Sequence, residues 1–408
     1  MSRFSLRGKG YRARFQGFLR SLSAFVFYKI LKLHDLKYKH SFEIDNHVKS
    51  ASWFASLSEL KNMLEKNPER SVAILKETSK ILQRKFTILG CDLDYSHSEI
   101  NWHLDPKSNF EWERKYYRRL YPVSNSSDNT DCKMPWELSR FQHLPLLING
   151  YCISGSDEYI KETIAQVFHW INENPLYYGI NWTCAMEVAI RACNWIWAWW
   201  AFKDHPAWTD EFNENFLKSI WQHGWFIEHN LEDKGGIRTN HYLSDIVGLL
   251  FLGIMFPQFK DAERWKKFGV RELVRCMEQM VYPDGVSFEN STAYHRLVLE
   301  LFAYSAILCR KNNIKLPSPF WERLEKMFEF IMYCTRPDGR MPMIGDADDG
   351  RFFIFSDYYG WDRWDFRYLL SIGAVLFKRS DFKKSAGKMH EKVVWLFGED
   401  GVEQYGKL

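Results

Sequence analysis

No CxxC pair occurs among the eight cysteines of this 408-residue chain, which stand at 91, 132, 152, 184, 193, 276, 309 and 334. Cys193 and Cys309 fall inside apolar helical stretches, so the set reads as buried thiols, and neither a metal site nor a disulfide framework is expected. Long hydrophobic runs are also missing. The longest, Val247 to Phe256, is broken by two glycines, which excludes a membrane-spanning helix. Charge of one sign is lacking too: 55 basic against 51 acidic residues leave a formal +4 spread along the chain. That balance does not by itself indicate nucleic acid, and it tolerates an acidic polymer as substrate. Alternating βαβ signals are absent, which argues against a parallel sheet. No cofactor is expected.

What is present is an ordinary globular composition, 46% hydrophobic and 26% charged, enough for one large domain or two smaller ones. Aromatics reach 17%, with 18 Trp, 20 Tyr and 31 Phe; such rings pack helices and also stack on sugar faces. Residues 1–45 form a basic entry, with Arg3, Arg7, Lys9, Arg12, Arg14, Arg20, Lys29 and Lys32 and no acid before Asp35. The apolar piece from Leu22 to Tyr28 resembles a weak secretion signal, but Lys29 interrupts it and no small-residue cleavage site follows. An amphipathic basic helix is the favoured reading.

Polar helical segments follow around 52–85, then an aromatic and charged stretch from Trp102 to Tyr121, then the turn-rich loop Pro122 to Thr130, a boundary or cleft loop. From Pro135 onward helical periodicity dominates, over about 154–173, 184–202, 210–231, 241–256, 260–281, 292–311, 318–335 and 363–378. Between residues 179 and 346 a helix, a Gly turn and a polar rung recur, with glycines at 179, 236, 285 and 339, that is 57, 49 and 54 residues apart. A period of that size fits a helical hairpin. The fold expected is therefore all-α, an incomplete (α/α) toroid over residues 46–380 with short extended rungs only at the repeat turns. Equivalent turns then gather at one rim and can form a central cleft.

Chemistry-bearing residues cluster at those turns. Asn240 and His241 open an apolar helix, where a helix N-terminus favours an anion; Asn240 is equally suited to be a plain cap. Arg238 precedes them. One repeat on, Tyr294 is followed by His295 and Arg296, cations that favour a phenolate if they lie beside the ring; a packed Tyr beside a locally bonded His is the alternative. Glu289 and Asp346 lie on later rungs. Glu187 and Arg191 have the i, i+4 spacing of a helix ion pair. Asp346 to Arg351 reads as a tight acidic turn rather than a calcium loop, because the later Glu of that motif is missing. Trp136, Arg140 and His143 combine a stacking ring, a cation and an imidazole, suited to a sugar or to an ordinary helix start.

Taken in order, Lys133 to Arg140, Met186 to Arg191, Thr239 to Leu243, Asp284 to Arg296 and Gly345 to Arg351 resemble the helical N-terminal domain of the heparinase II/III-like polysaccharide lyases, over about residues 50 to 380. The resemblance implies an incomplete α/α toroid, with Asn240 as the carboxylate-neutralising amide, Tyr294 as the catalytic phenol and His241 as a partner in base or neutralising duty. Candidate substrate contacts are Trp136, Arg140, His143, Glu187, Arg191, Arg238, Glu289, His295, Arg296 and Asp346, and the resemblance implies an anionic, uronic-acid-containing polysaccharide as partner: heparan sulfate, alginate or a bacterial exopolysaccharide. Family members carry a β-sandwich domain after the toroid. Residues 381–408 are accordingly expected as a linker toward that domain, which this sequence does not contain. Two other readings stay open, a toroidal glycoside hydrolase using Glu289 and Asp346 as its carboxylate pair, and a non-catalytic polysaccharide-binding toroid.

Overall fold

A computed structural model describes residues 51–122, 124–125, 130–233, 235–347 and 350–408; the basic entry lies outside the described residues. Among those residues the chain opens with α1 (Leu57–Glu65) and α2 (Pro68–Leu82). Three two-stranded antiparallel hairpins follow, β1–β2 (Lys85–Ile88 with Cys91–Asp94), β3–β4 (Leu104–Asp105 with Phe110–Glu111) and β5–β6 (Ser124–Asn125 with Thr130–Asp131). Then come α3 (Lys133–Ser139), α4 (Leu144–Ser154), α5 (Glu158–Glu173), α6 (Ala185–Phe202), α7 (Asp210–His229), α8 (Asn240–Met255), α9 (Ala262–Met280), α10 (Thr292–Lys311) and α11 (Ser318–Cys334). The C-terminal part holds α12 (Arg367–Phe377), α13 (Ser380–Ala386) and α14 (Lys392–Lys407).

Burial separates these helices into an inner and an outer layer. Inner α8 buries all of its residues but His241, and α10 nearly all of its own; a helix apolar all round needs cover on every side. Outer α9 buries one stripe, Ala262, Trp265, Gly269, Leu273, Cys276 and Met280, the spacing of a single helix face. Neighbours α4 and α6, α6 and α8, and α8 and α10 pack in sequence, with α5, α7, α9 and α11 behind them. Close approach of α8 and α9 depends on small residues from both sides. A Cβ on Gly253 would stand 2.5 Å from the Lys266 nitrogen, and one on Gly269 would stand 2.8 Å from Leu250 Cβ.

The extended rungs expected at the repeat turns are largely absent. Among the described residues these turns carry two isolated bridges, Tyr116 with Tyr178 beside Gly179 and Val281 with Ser287, and the Gly179 turn runs into a 3-10 turn, Ile180–Trp182. Strand pairing lies earlier, in the stretch between α2 and α3. Residues 381–408, expected as a linker, carry part of α13 and all of α14, and α14 packs on both α12 and α1. Trp395 is fully buried against Trp197 and Phe355, and the Glu399 N–H donates to Glu59 Oε1 at 2.9 Å. Six cysteines are buried thiols as read, whereas Cys91 and Cys334 are half-buried.

Four imidazoles are sealed in this core. Burial pushes His103, His143 and His295 down to about 4, and His223 well below its usual value. Unfolded histidines take up a proton near ~6.5, so the folded state binds fewer protons below that value. The stability these groups contribute is complete above about pH 6.5 and is lost as the pH falls toward about 4. Asp245, pushed up by burial and by the Glu232 charge, and Glu77, pushed up by burial, work in the opposite sense, but as two groups against four. The melting temperature at about pH 5 is therefore expected to lie several degrees below that at about pH 7.5; equal values measured by calorimetry would contradict neutral burial of these rings.

Candidate active site

The rim is assembled from helix starts. The first N–H groups of a helix have no partner within it, and here α6, α8 and α10 are supplied by the turn of the following repeat. Glu232, in the turn before α8, accepts the Met186 N–H of α6 at 3.0 Å. Glu289, in the turn before α10, accepts both the Asn240 backbone N–H and the Asn240 Nδ2 at 2.8 Å each. The turn after α11 accepts the Thr292 N–H of α10 through the Ile344 carbonyl at 3.0 Å, and Ser291 Oγ donates to the Asp346 carbonyl. Gly345 sits with φ +77°, its Cα so close that an added Cβ would stand 2.6 Å from the Asn290 carbonyl oxygen. Turns 290 and 345 therefore lie directly against one another.

This stitching brings five of the expected residues to one rim. Asn240 is the first residue of α8 and is buried, with Thr239 as N-cap making no side-chain cap. His241 beside it is 39% exposed at the side chain, its Nδ1 at 3.2 Å from both oxygens of Glu232. Ser291 caps α10 by accepting the Tyr294 N–H, and the Tyr294 hydroxyl donates to Asp346 Oδ2 at 2.9 Å. Glu289 joins the Asn240 end of this rim to the Tyr294 end. Glu289 and Asp346 both accept hydrogen bonds from rim donors.

Other expected contacts are turned inward. Residues 294, 295 and 296 point about 100° apart around α10, so the cations do not follow Tyr294 to the rim. His295 accepts the Ser287 N–H and pairs with the Met327 carbonyl, and Arg296 donates to the Arg363 and Gly350 carbonyls over Trp361. His143 is in the core against Phe86 and Gln166. Glu187 does not pair with Arg191. It takes Arg140 through two bonds of 2.6 and 2.7 Å, with both side chains under 8% exposed. Arg191 instead donates to His223 and the Asn181 carbonyl and lies on Trp170, and burial pulls it down to about 9. Trp136 donates to the Ile180 carbonyl and packs beside Trp112. Arg238 is held by Glu272 at 3.2 Å and by Gln279 over Tyr242. Of the acidic turn after Asp346, residues 348 and 349 lie outside the described residues, and Arg351 is buried against Trp361.

Sequence reading missed Glu232, Cys184 and Asp245. Burial pushes the Glu232 carboxyl up, but bonds from His241 and the Met186 N–H hold it below the usual range. Its signal was weak, because Glu232 stands before the Gly236 turn whereas Glu289 follows Gly285.

A profile described as Heparinase II/III N-terminus matches residues 44–364. The heparin-sulfate lyase of Pedobacter heparinus is 26% identical over 245 residues, covering 58% of this chain and 36% of that protein. That of Bacteroides thetaiotaomicron is 26% identical over 261 residues, covering 61% and 34%. Among solved structures, the heparan sulfate lyase of Pedobacter heparinus aligns at TM-score 0.54 and 22% identity over 94% of this chain and 53% of that one. A heparinase III gene product aligns at TM-score 0.53 and 22% identity over 78% and 47%. The chain thus spans about a third of the curated relatives' length and about half of the solved ones, and the structural likeness is one of fold.

The buried Arg140–Glu187 pair yields a direct check. Arg140→Ala leaves a carboxylate buried without its cation and is expected to cost about 3–5 kcal/mol, while Arg140→Met with Glu187→Leu recovers most of it. Urea unfolding of the two variants measures this; a single variant within about 1 kcal/mol of wild type would refute the pairing.

Proposed function

The chain belongs to the heparinase II/III N-terminal family, and on that premise we propose that it is the toroidal half of a polysaccharide lyase. Its substrate is an anionic polysaccharide containing uronic acid, of the heparan sulfate class, cut by β-elimination. The observation that carries this reading is the continuous rim from Asn240 through Glu289 and Ser291 to Tyr294.

Elimination removes the C5 proton, which is barely acidic beside an ionised carboxylate, and expels the C4 oxygen. Three tasks follow: neutralising the carboxylate, taking the proton and protonating the leaving oxygen. Asn240 suits the first, since its position at the start of α8 already receives a carboxylate, that of Glu289. One amide N–H goes to Glu289, which fixes the amide plane; the trigonal geometry then aims the other N–H elsewhere, toward the substrate carboxylate. The dipole of α8 adds to that attraction. Tyr294 is presented as a proton donor, its O–H directed at Asp346, and serves the leaving oxygen. His241 takes or shares the C5 proton, with Glu232 at Nδ1 fixing the ring.

The test is production of ultraviolet-absorbing unsaturated uronate from heparan sulfate by the intact protein. Tyr294→Phe is expected to lower kcat by about 10²–10⁴-fold and Asn240→Ala by about 10²–10³-fold. Near wild-type rates in either variant would remove these roles, and products with saturated ends would remove the lyase reading.

A further inference from the structure

Beside the rim, Cys184, Glu232 and His241 bring three different ligand types together, all within 4.8 Å. Cys184 is the N-cap of α6, Glu232 lies in the turn between α7 and α8, and His241 is the second residue of α8. Sulfur to Nδ1 is 3.7 Å, sulfur to Glu232 Oε2 is 3.5 Å, and Nδ1 to Oε2 is 3.2 Å. A tetrahedral zinc ion with bonds of about 2.3 Å to sulfur and about 2.0–2.1 Å to nitrogen and oxygen requires edges of about 3.6, 3.5 and 3.3 Å for the same pairs. The three atoms already stand at the corners of one face of that tetrahedron.

A second observation points the same way. Asp245, directly behind Glu232, is fully buried; its Oδ2 accepts the Glu232 N–H at 2.7 Å while its Oδ1 has no hydrogen-bond partner. A fully buried carboxyl with one unpartnered oxygen thus backs Glu232, and a cation at Glu232 offsets the negative charge gathered there. A route from solvent exists, because Glu232 also lines an open cavity of about 530 Å³ with Tyr117, Arg118, Thr183 and Asn230.

We propose that Cys184, Glu232 and His241 bind a zinc-class divalent ion, with water as the fourth ligand. Binding forms the sulfur–metal bond and releases the thiol proton to solvent. Mixed S, N and O donors suit zinc or cobalt over calcium or magnesium, which take oxygen alone. The inference does not rest on the lyase reading, although the two share His241.

The experiment is a zinc titration of the chelator-stripped protein against a chromophoric competitor, followed by cobalt substitution. One equivalent is expected, and the cobalt form should show a thiolate-to-cobalt charge-transfer band with intense four-coordinate visible bands. Cys184→Ser and Glu232→Gln should each weaken zinc by at least about tenfold, Cys184→Ser abolishing the charge-transfer band, while Cys276→Ser keeps both. Far-UV circular dichroism checks that each variant is folded; should Cys184→Ser not fold, Glu232→Gln and the wild-type cobalt spectrum decide. No stoichiometric ion in wild type, a cobalt form without the thiolate band, or unchanged affinity in folded Cys184→Ser or Glu232→Gln would overturn the proposal. All three readouts are independent of turnover.

Discussion

Glu289 is the residue on which the rim depends. Its two oxygens take the first N–H of α8 and the amide of Asn240, while its own chain leads within two residues to the Ser291 cap of α10. A buried helix start with unpaired N–H groups would cost several kcal/mol, and a carboxylate from the next repeat satisfies it while matching the helix dipole. The same solution appears at Glu232 for α6 and at Ile344 for α10. Each hairpin is therefore locked to its neighbour at the polar end, independently of how the apolar faces pack. Because the links run in series, the distance between Asn240 and Tyr294 is set by short hydrogen-bonded steps rather than by the length of the loops between them.

Such a device places acids among the groups that must receive an anion. Glu232, Glu289 and Asp346 all sit at the rim, yet each is bound: to His241 and the Met186 N–H, to Asn240, and to Tyr294. Their acceptor capacity is directed at the protein's own donors, which fixes the rotamers of the amide, imidazole and phenol. Orientation is what a general acid or an amide donor needs most, since a misplaced donor forfeits the gain of proximity. The acids thus serve the rim by aiming its donors.

Much of the fold was legible because inner and outer helices differ in pattern. A helix such as α8, apolar all round, and one such as α9, apolar on one stripe, both announce themselves. Short α3 and α4 were missed, and α14 was missed because the resemblance made the stretch after residue 380 a linker, whereas Trp395 and Tyr405 hold the segment against the body. At the rim, Asn240, His241, Glu289, Tyr294 and Asp346 could be read as neighbours because similar turns recur along the chain. His143, Arg191, His295 and Arg296 were misplaced because their partners, Gln166, His223, Met327 and Gly350, lie on other elements. A rotation of one residue around a helix separates rim from core, and the sequence spacing carries no sign of which way it turns.

Those inward charges have their own logic. Arg296 and Arg351 stack on the Trp361 ring at 4.5 and 3.9 Å, and burial together with Arg296 draws Arg351 down to about 10. Beneath them Glu300, fully buried, accepts the Phe352 N–H at 2.7 Å, the Tyr368 hydroxyl at 2.8 Å and the Lys392 ammonium at 3.4 Å. An apolar replacement of such a cluster often matches or exceeds its stability, so stability is a weak reason for it. Geometry is a better one. Apolar helices can slide past each other with little penalty, whereas a carboxylate that must meet the Phe352 N–H, the Tyr304 and Tyr368 hydroxyls and the Lys392 ammonium at once admits a single register between α10, α12, α14 and the chain around Phe352.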